Sequence, residues 1–160
     1  MKKIRRIFSA LLALTLTGAA LAQSVDVEGA WARATVQGQK ASGAFMKLTA
    51  KNGSRLVSVS SPVAGVAEVH EMKMEGDVMK MRALPGGGLE LPAGKAVELK
   101  PGGYHVMLMD LKIPLQKDTT IPMTLVFRDA NGVETKTELR VLVALAAPMA
   151  HDAHAEPVKK

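Results

Sequence analysis

The chain has 160 residues, of which 48% are hydrophobic, 22% charged and only 3% aromatic. Apolar content of that order at that length suits one globular domain and excludes a disordered chain. The absence of cysteine excludes a disulfide scaffold, an iron–sulfur protein, a zinc ribbon and a thiol enzyme.

The first element in chain order is a leader. Lys2, Lys3, Arg5 and Arg6 precede an apolar run over 7–21 that is broken only by Ser9, Thr15, Thr17 and Gly18. The run ends in Ala20-Leu21-Ala22. A basic start, a short apolar stretch and a small-x-small ending make a secretory signal peptide, expected to be cleaved after Ala22. The run is short for a membrane anchor. Export to the periplasm is the expected localisation. Without residues 1–22, 17 basic side chains face 15 acidic ones, and the formal charge drops from +6 to +2. That leaves no electrostatic footprint for nucleic acid, and no later run is long enough to span a membrane. The destination compartment is oxidising, where free thiols pair. A protein that must keep sulfur ligands available there is better served by methionine.

From residue 23 to 145 the pattern is β. Alternating segments at 42–50, 56–61, 68–74, 78–84, 96–100, 104–111, 119–128 and 134–143 are expected strands. Between them stand Asn52-Gly53, Gly76-Asp77, Pro85-Gly86-Gly87-Gly88, Pro92-Ala93-Gly94, Pro101-Gly102-Gly103 and Asn131-Gly132. Asn-Gly between alternating runs is a strong hairpin signal. Short strands at this spacing predict an all-β sandwich or barrel. With one Trp, one Tyr and three Phe, its core must be filled by Val, Leu, Ala and Met. Trp31 is expected to plug that core. The segment 146–160 has no strand pattern and is expected to be a flexible tail.

Methionine is the unusual feature: there are ten. Met72, Met74, Met79, Met81, Met107 and Met109 cluster between residues 72 and 109, with His70 and His105 beside them. Residues two apart on a strand share a face. Three stripes result: His70/Met72/Met74, Met79/Met81 and His105/Met107/Met109. Methionine ordinarily fills gaps in cores, and a lone strand histidine is ordinarily a surface residue. A core filled by methionine has no reason to hold histidine in register with it. Thioether and imidazole together suit Cu(I), which is soft. Zn(II) wants thiolate, more nitrogen or carboxylate, and calcium wants oxygen. A blue-copper centre needs a thiolate, which is absent.

At these residues the sequence resembles the periplasmic copper chaperone family known as PCu(A)C. The similarity lies in His70 and Met81 with ten residues between them, and in the distal His105-Val106-Met107. It extends to Ala30-Trp31-Ala32-Arg33-Ala34-Thr35, to 44–53, to Val69-His70-Glu71, to 89–94 and to 99–111. The resemblance implies a single cupredoxin-like, Greek-key β-sandwich that binds one Cu(I) through His70, Met81, His105 and Met107. It implies a monomeric carrier, not an enzyme, whose protein recipient lies on the route to the copper centre of cytochrome c oxidase. Between Met81 and His105 stand 23 residues, slightly more than the family pattern, with the excess assigned to the loop at 85–88. Met79 therefore stays open as an alternative to Met81. Met72, Met74 and Met109 are secondary candidates or packing. In the tail, Met149, His151 and His154 form an expected auxiliary site, suited to Cu(II), or a solubilising terminus. Copper storage or tolerance, and a His/Met copper redox enzyme, are the competing functions.

Overall fold

The computed structural model describes residues 25–84 and 88–148. The expected leader at 1–22 and the tail residues Met149, His151 and His154 lie outside the described residues.

Ten strands form, and among the described residues there is no helix. They are β1 (Val25–Arg33), β2 (Ala41–Ala50), β3 (Ser54–Ser60), β4 (Val66–Glu75), β5 (Val78–Ala83), β6 (Leu89–Leu91), β7 (Ala96–Leu99), β8 (His105–Met109), β9 (Thr120–Arg128) and β10 (Glu134–Ala144). All eight expected segments are strands. β1 and β6 are additional. In β1, Gly29 takes φ +58 and the pairing with β2 shifts register between Glu28 and Trp31. This bulge breaks the alternation by which a strand is read. β6 is three residues long and too short to carry a period.

The hydrogen-bonded order is β5-β4-β8-β2-β1-β10-β9-β3-β6, with β7 beside β2. β2 is shared along one edge: Ala41–Ala44 pair with β8, and Met46–Thr49 with β7. The parallel β1–β10 pairing, at Trp31–Arg33, links the two halves of the path. The path folds over on itself as a cupredoxin-like all-β sandwich. Between its layers lie Ala44, Met46 and Leu48 of β2, Val106 and Leu108 of β8, Met123, Leu125 and Phe127 of β9, and Val141 and Val143 of β10. Methionine does help fill this aromatic-poor core, at Met46 and Met123.

Trp31 departs from its expected place. It is buried, but it stacks on Phe45 with ring centroids 4.7 Å apart, outside the main core cluster. Alternation explains this. Core-facing Ala44 and Met46 flank Phe45, so its side chain points to the opposite face, where Trp31 is its cross-strand partner.

Candidate metal centre

The same alternation puts every clustered histidine and methionine on that outer face. On β8, Val106 and Leu108 enter the core while His105, Met107 and Met109 point away. On β4, Ala67 and Val69 pack against the core, and Glu68, His70, Met72 and Met74 alternate with them. The pairing of β4 with β8 then sets His70 directly opposite His105, and Glu68 opposite Met107. The two imidazole centroids are 5.9 Å apart.

That pairing ends at His70. From Glu71 onward β4 continues with β5 alone, as a two-stranded arm. Its turn is Gly76-Asp77, closed between Glu75 and Val78, with φ +63 at Gly76. A two-residue turn with glycine first imposes the twist that antiparallel strands need, and it fixes their register. Met72 is thereby set opposite Met81, and Met74 opposite Met79. The other face of the arm is charged, with ion pairs Glu71–Arg82 and Glu75–Lys80.

Both histidines are held in defined orientations. The loop before β8 turns at Gly102, and Gly103 N–H donates to the Lys100 carbonyl at 3.0 Å. The Gly103 carbonyl then accepts from His105 Nδ1 at 3.0 Å. A carbonyl only accepts, so Nδ1 carries the proton, and in the neutral ring the lone pair is then at Nε2. His105 is 5% exposed, screened by Phe45, whose ring centroid is 6.4 Å away. His70 shows the reverse arrangement. Its Nε2 faces the Glu68 carboxylate at 3.2 Å, while its Nδ1 is buried with no hydrogen-bond partner. A buried polar atom without a partner is costly and calls for an explanation. Metal-binding histidines characteristically donate the other ring N–H to a carboxylate or a carbonyl, and Glu68 and the Gly103 carbonyl stand where such acceptors would be needed.

Met72, Met81, His105 and Met107 line one cleft of about 340 Å3, together with Arg33, Gly43 and Phe45. His70 abuts it through the ring of His105. The four expected ligands are thus neighbours, and Met72 joins them. Met79 sits two residues farther out along the arm than Met81, about 7 Å at the usual strand rise. Met109, opposite Val66 and Ala41, is about 13 Å along β8 from His105 and does not line the cleft. Among the described residues no group of three His, Asp or Glu side chains gathers that could hold a metal ion. Sequence reasoning missed Glu68, the Gly103 carbonyl and the Gly43–Phe45–Trp31 wall. Glu68 was within reach, since it shares the period-two stripe of His70.

A family model described as "Putative lipoprotein LpqE-like" matches residues 25–139. A protein of Leifsonia xyli subsp. xyli named as a "Putative lipoprotein" is 34% identical over 110 residues, 69% of this chain and 66% of that protein's length. Among solved structures, the Cu(I)-bound solution form of DR1885 from Deinococcus radiodurans is 29% identical with TM-score 0.60, over 79% of this chain and 83% of that one. The apo form of DR1885 is 26% identical with TM-score 0.56, over 92% of this chain and 99% of that one. A copper-bound PCuAC domain from PmoF2 is 24% identical with TM-score 0.56, over 79% and 95% of the two chains, a likeness of fold alone. The expected kinship with PCu(A)C proteins is thus met as a shared fold, while the matching family model bears another name. The chain belongs to the LpqE-like family and has the β-sandwich of PCuAC domains.

Proposed function

We propose that this protein is an exported copper carrier that holds one Cu(I) between His70 Nδ1, His105 Nε2 and the thioethers of Met81 and Met107, and passes it to another protein. The observation that carries the reading is the paired second contacts of the two histidines. Each imidazole has one nitrogen committed, to Glu68 or to the Gly103 carbonyl, and one left for a cation. Neutral imidazoles and thioethers hold the reduced, soft ion without a thiolate, so the ion stays exchangeable. The half-exposed Met81 gives it a way in and out. Copper bound by the structurally similar DR1885 supports the choice of metal. Periplasmic location, and delivery toward the copper centre of cytochrome c oxidase, belong to the same proposal.

The test is a Cu(I) titration under reducing conditions against a chromogenic chelator. Met149, His151 and His154 are first replaced so that the tail cannot contribute. One equivalent bound tightly supports the proposal. No competition with the chelator ends it. Oxygen consumption with a reductant, above the background of free copper, would favour the enzyme reading instead.

A further inference from the structure

The β4–β5 arm carries more thioether than one copper site uses. Beyond the Met72–Met81 pair lies a second rung, Met74 opposite Met79, next to the Gly76-Asp77 turn. These two side chains are 54% and 48% exposed. Packing does not account for them. Among the described residues the arm beyond His70 pairs with no third strand, and every residue of β5 is exposed. Across the arm, the opposite face is laced with charge at Glu71, Lys73, Glu75, Lys80 and Arg82. One face of a solvated ribbon is therefore built as other exposed strands are, and the other is built wholly of thioether.

We propose that Met74 and Met79 form an outer landing site for Cu(I), from which the ion steps inward to Met72 and Met81 and then to His70 and His105. The inference rests on the carrier reading above and extends it to the path of the ion. Cross-strand partners bring their side chains close enough to share one ion, and successive rungs are about 7 Å apart. Each step exchanges thioether for thioether, or thioether for imidazole. Copper remains Cu(I), and no proton or electron moves, because thioethers and neutral imidazoles bind without deprotonation. The gradient runs from two exposed sulfur donors to a mixed sulfur–nitrogen set beside buried His105. The outer rung therefore binds more weakly and exchanges faster than the inner set.

The test uses the exported chain with isotope-labelled methionine methyl groups. Under reducing conditions the first equivalent of Cu(I) shifts the methyl signals of Met81 and Met107. Further Cu(I) then shifts those of Met74 and Met79 together, and saturably. In a Met74→Leu/Met79→Leu variant, uptake of the first equivalent and its withdrawal by a soluble chelator slow together, several-fold, because removing a way-station on the path raises the barrier in both directions. If the Met74 and Met79 signals stay unmoved in excess Cu(I), or the double variant exchanges at the wild-type rate, either result overturns the landing site and leaves the carrier intact. If the wild type fails to take up the first equivalent, both readings fall.

Discussion

The ring of Phe45 lies over the backbone of Gly43, so close that a Cβ at position 43 would stand 2.8 Å from the ring's Cζ. Gly43 is also the β2 partner of Met107, and Phe45 is the wall between Trp31 and His105. A glycine in the middle of a strand ordinarily weakens it. Here it is the space that lets an aromatic ring fold down beside the imidazole.

Gly43→Ala is therefore expected to displace Phe45 and cost about 1–3 kcal/mol, as overpacking does. The near-ultraviolet circular dichroism of Trp31 should change, and Cu(I) affinity should fall. Adding Phe45→Leu should recover most of the stability, because the clash is with the ring and the backbone is unstrained. A Gly43→Ala protein with wild-type melting temperature and copper affinity would refute this account of the wall.

Glu68→Gln should weaken Cu(I) binding by about tenfold with little loss of stability. The amide oxygen still accepts from His70 Nε2, but without the charge that holds the ring in place. Glu68→Leu should weaken binding further. Chelator competition measures both, and equal affinities in all three proteins would show that the carboxylate has no part in holding the ring.

Met81→Leu and His105→Ala should each lose most Cu(I) binding, and they should differ in stability. Met81 is half-exposed, so its substitution should leave the melting temperature close to wild type. His105 is buried against Phe45 and the Gly103 carbonyl, so its truncation should also lower the melting temperature. Unchanged copper binding in Met81→Leu would move the ligand role to Met72 or Met79.

Cu(I) should raise the thermal stability of the wild type. A ligand at 100 times its Kd stabilises the native state by about 2.7 kcal/mol through mass action. A melting curve unmoved by Cu(I), with chelator competition intact, would mean that the ion binds the unfolded chain equally well.

The methionines should fall into two populations. Met123→Ala removes a fully buried side chain and should cost about 2–5 kcal/mol. Met79→Ala removes a half-exposed one and should stay within about 0.5 kcal/mol. Chemical denaturation separates the two. A large loss at Met79 would make the arm's thioethers structural.

Much of the histidine–methionine face is legible in the sequence. Alternation alone placed His105, Met107 and Met109 on one side of a strand, and His70, Met72 and Met74 on one side of another. The Gly76-Asp77 turn is visible there too, but the pairing of Met72 with Met81 and of Met74 with Met79 rests on its closing between Glu75 and Val78, which only the structure shows. The β1 strand was not legible, because the bulge at Gly29 interrupts its period. Nor was the position of Trp31, which a count of aromatics sends to the core and the β1–β2 register sends to the outer face.

Local features can be read from the chain alone: where strands begin and turn, which residues share a face, and which donor chemistry is present. Those depend on neighbours one to four residues apart and on the geometry of single turns. The tertiary structure alone decided that His70 meets His105, that Glu68 and the Gly103 carbonyl each claim one ring nitrogen, and that Met81 lies nearer the cleft than Met79. These choices follow from how β4, β8 and β2 align once the shared core closes, and such alignments between distant segments are set by packing over the whole sandwich.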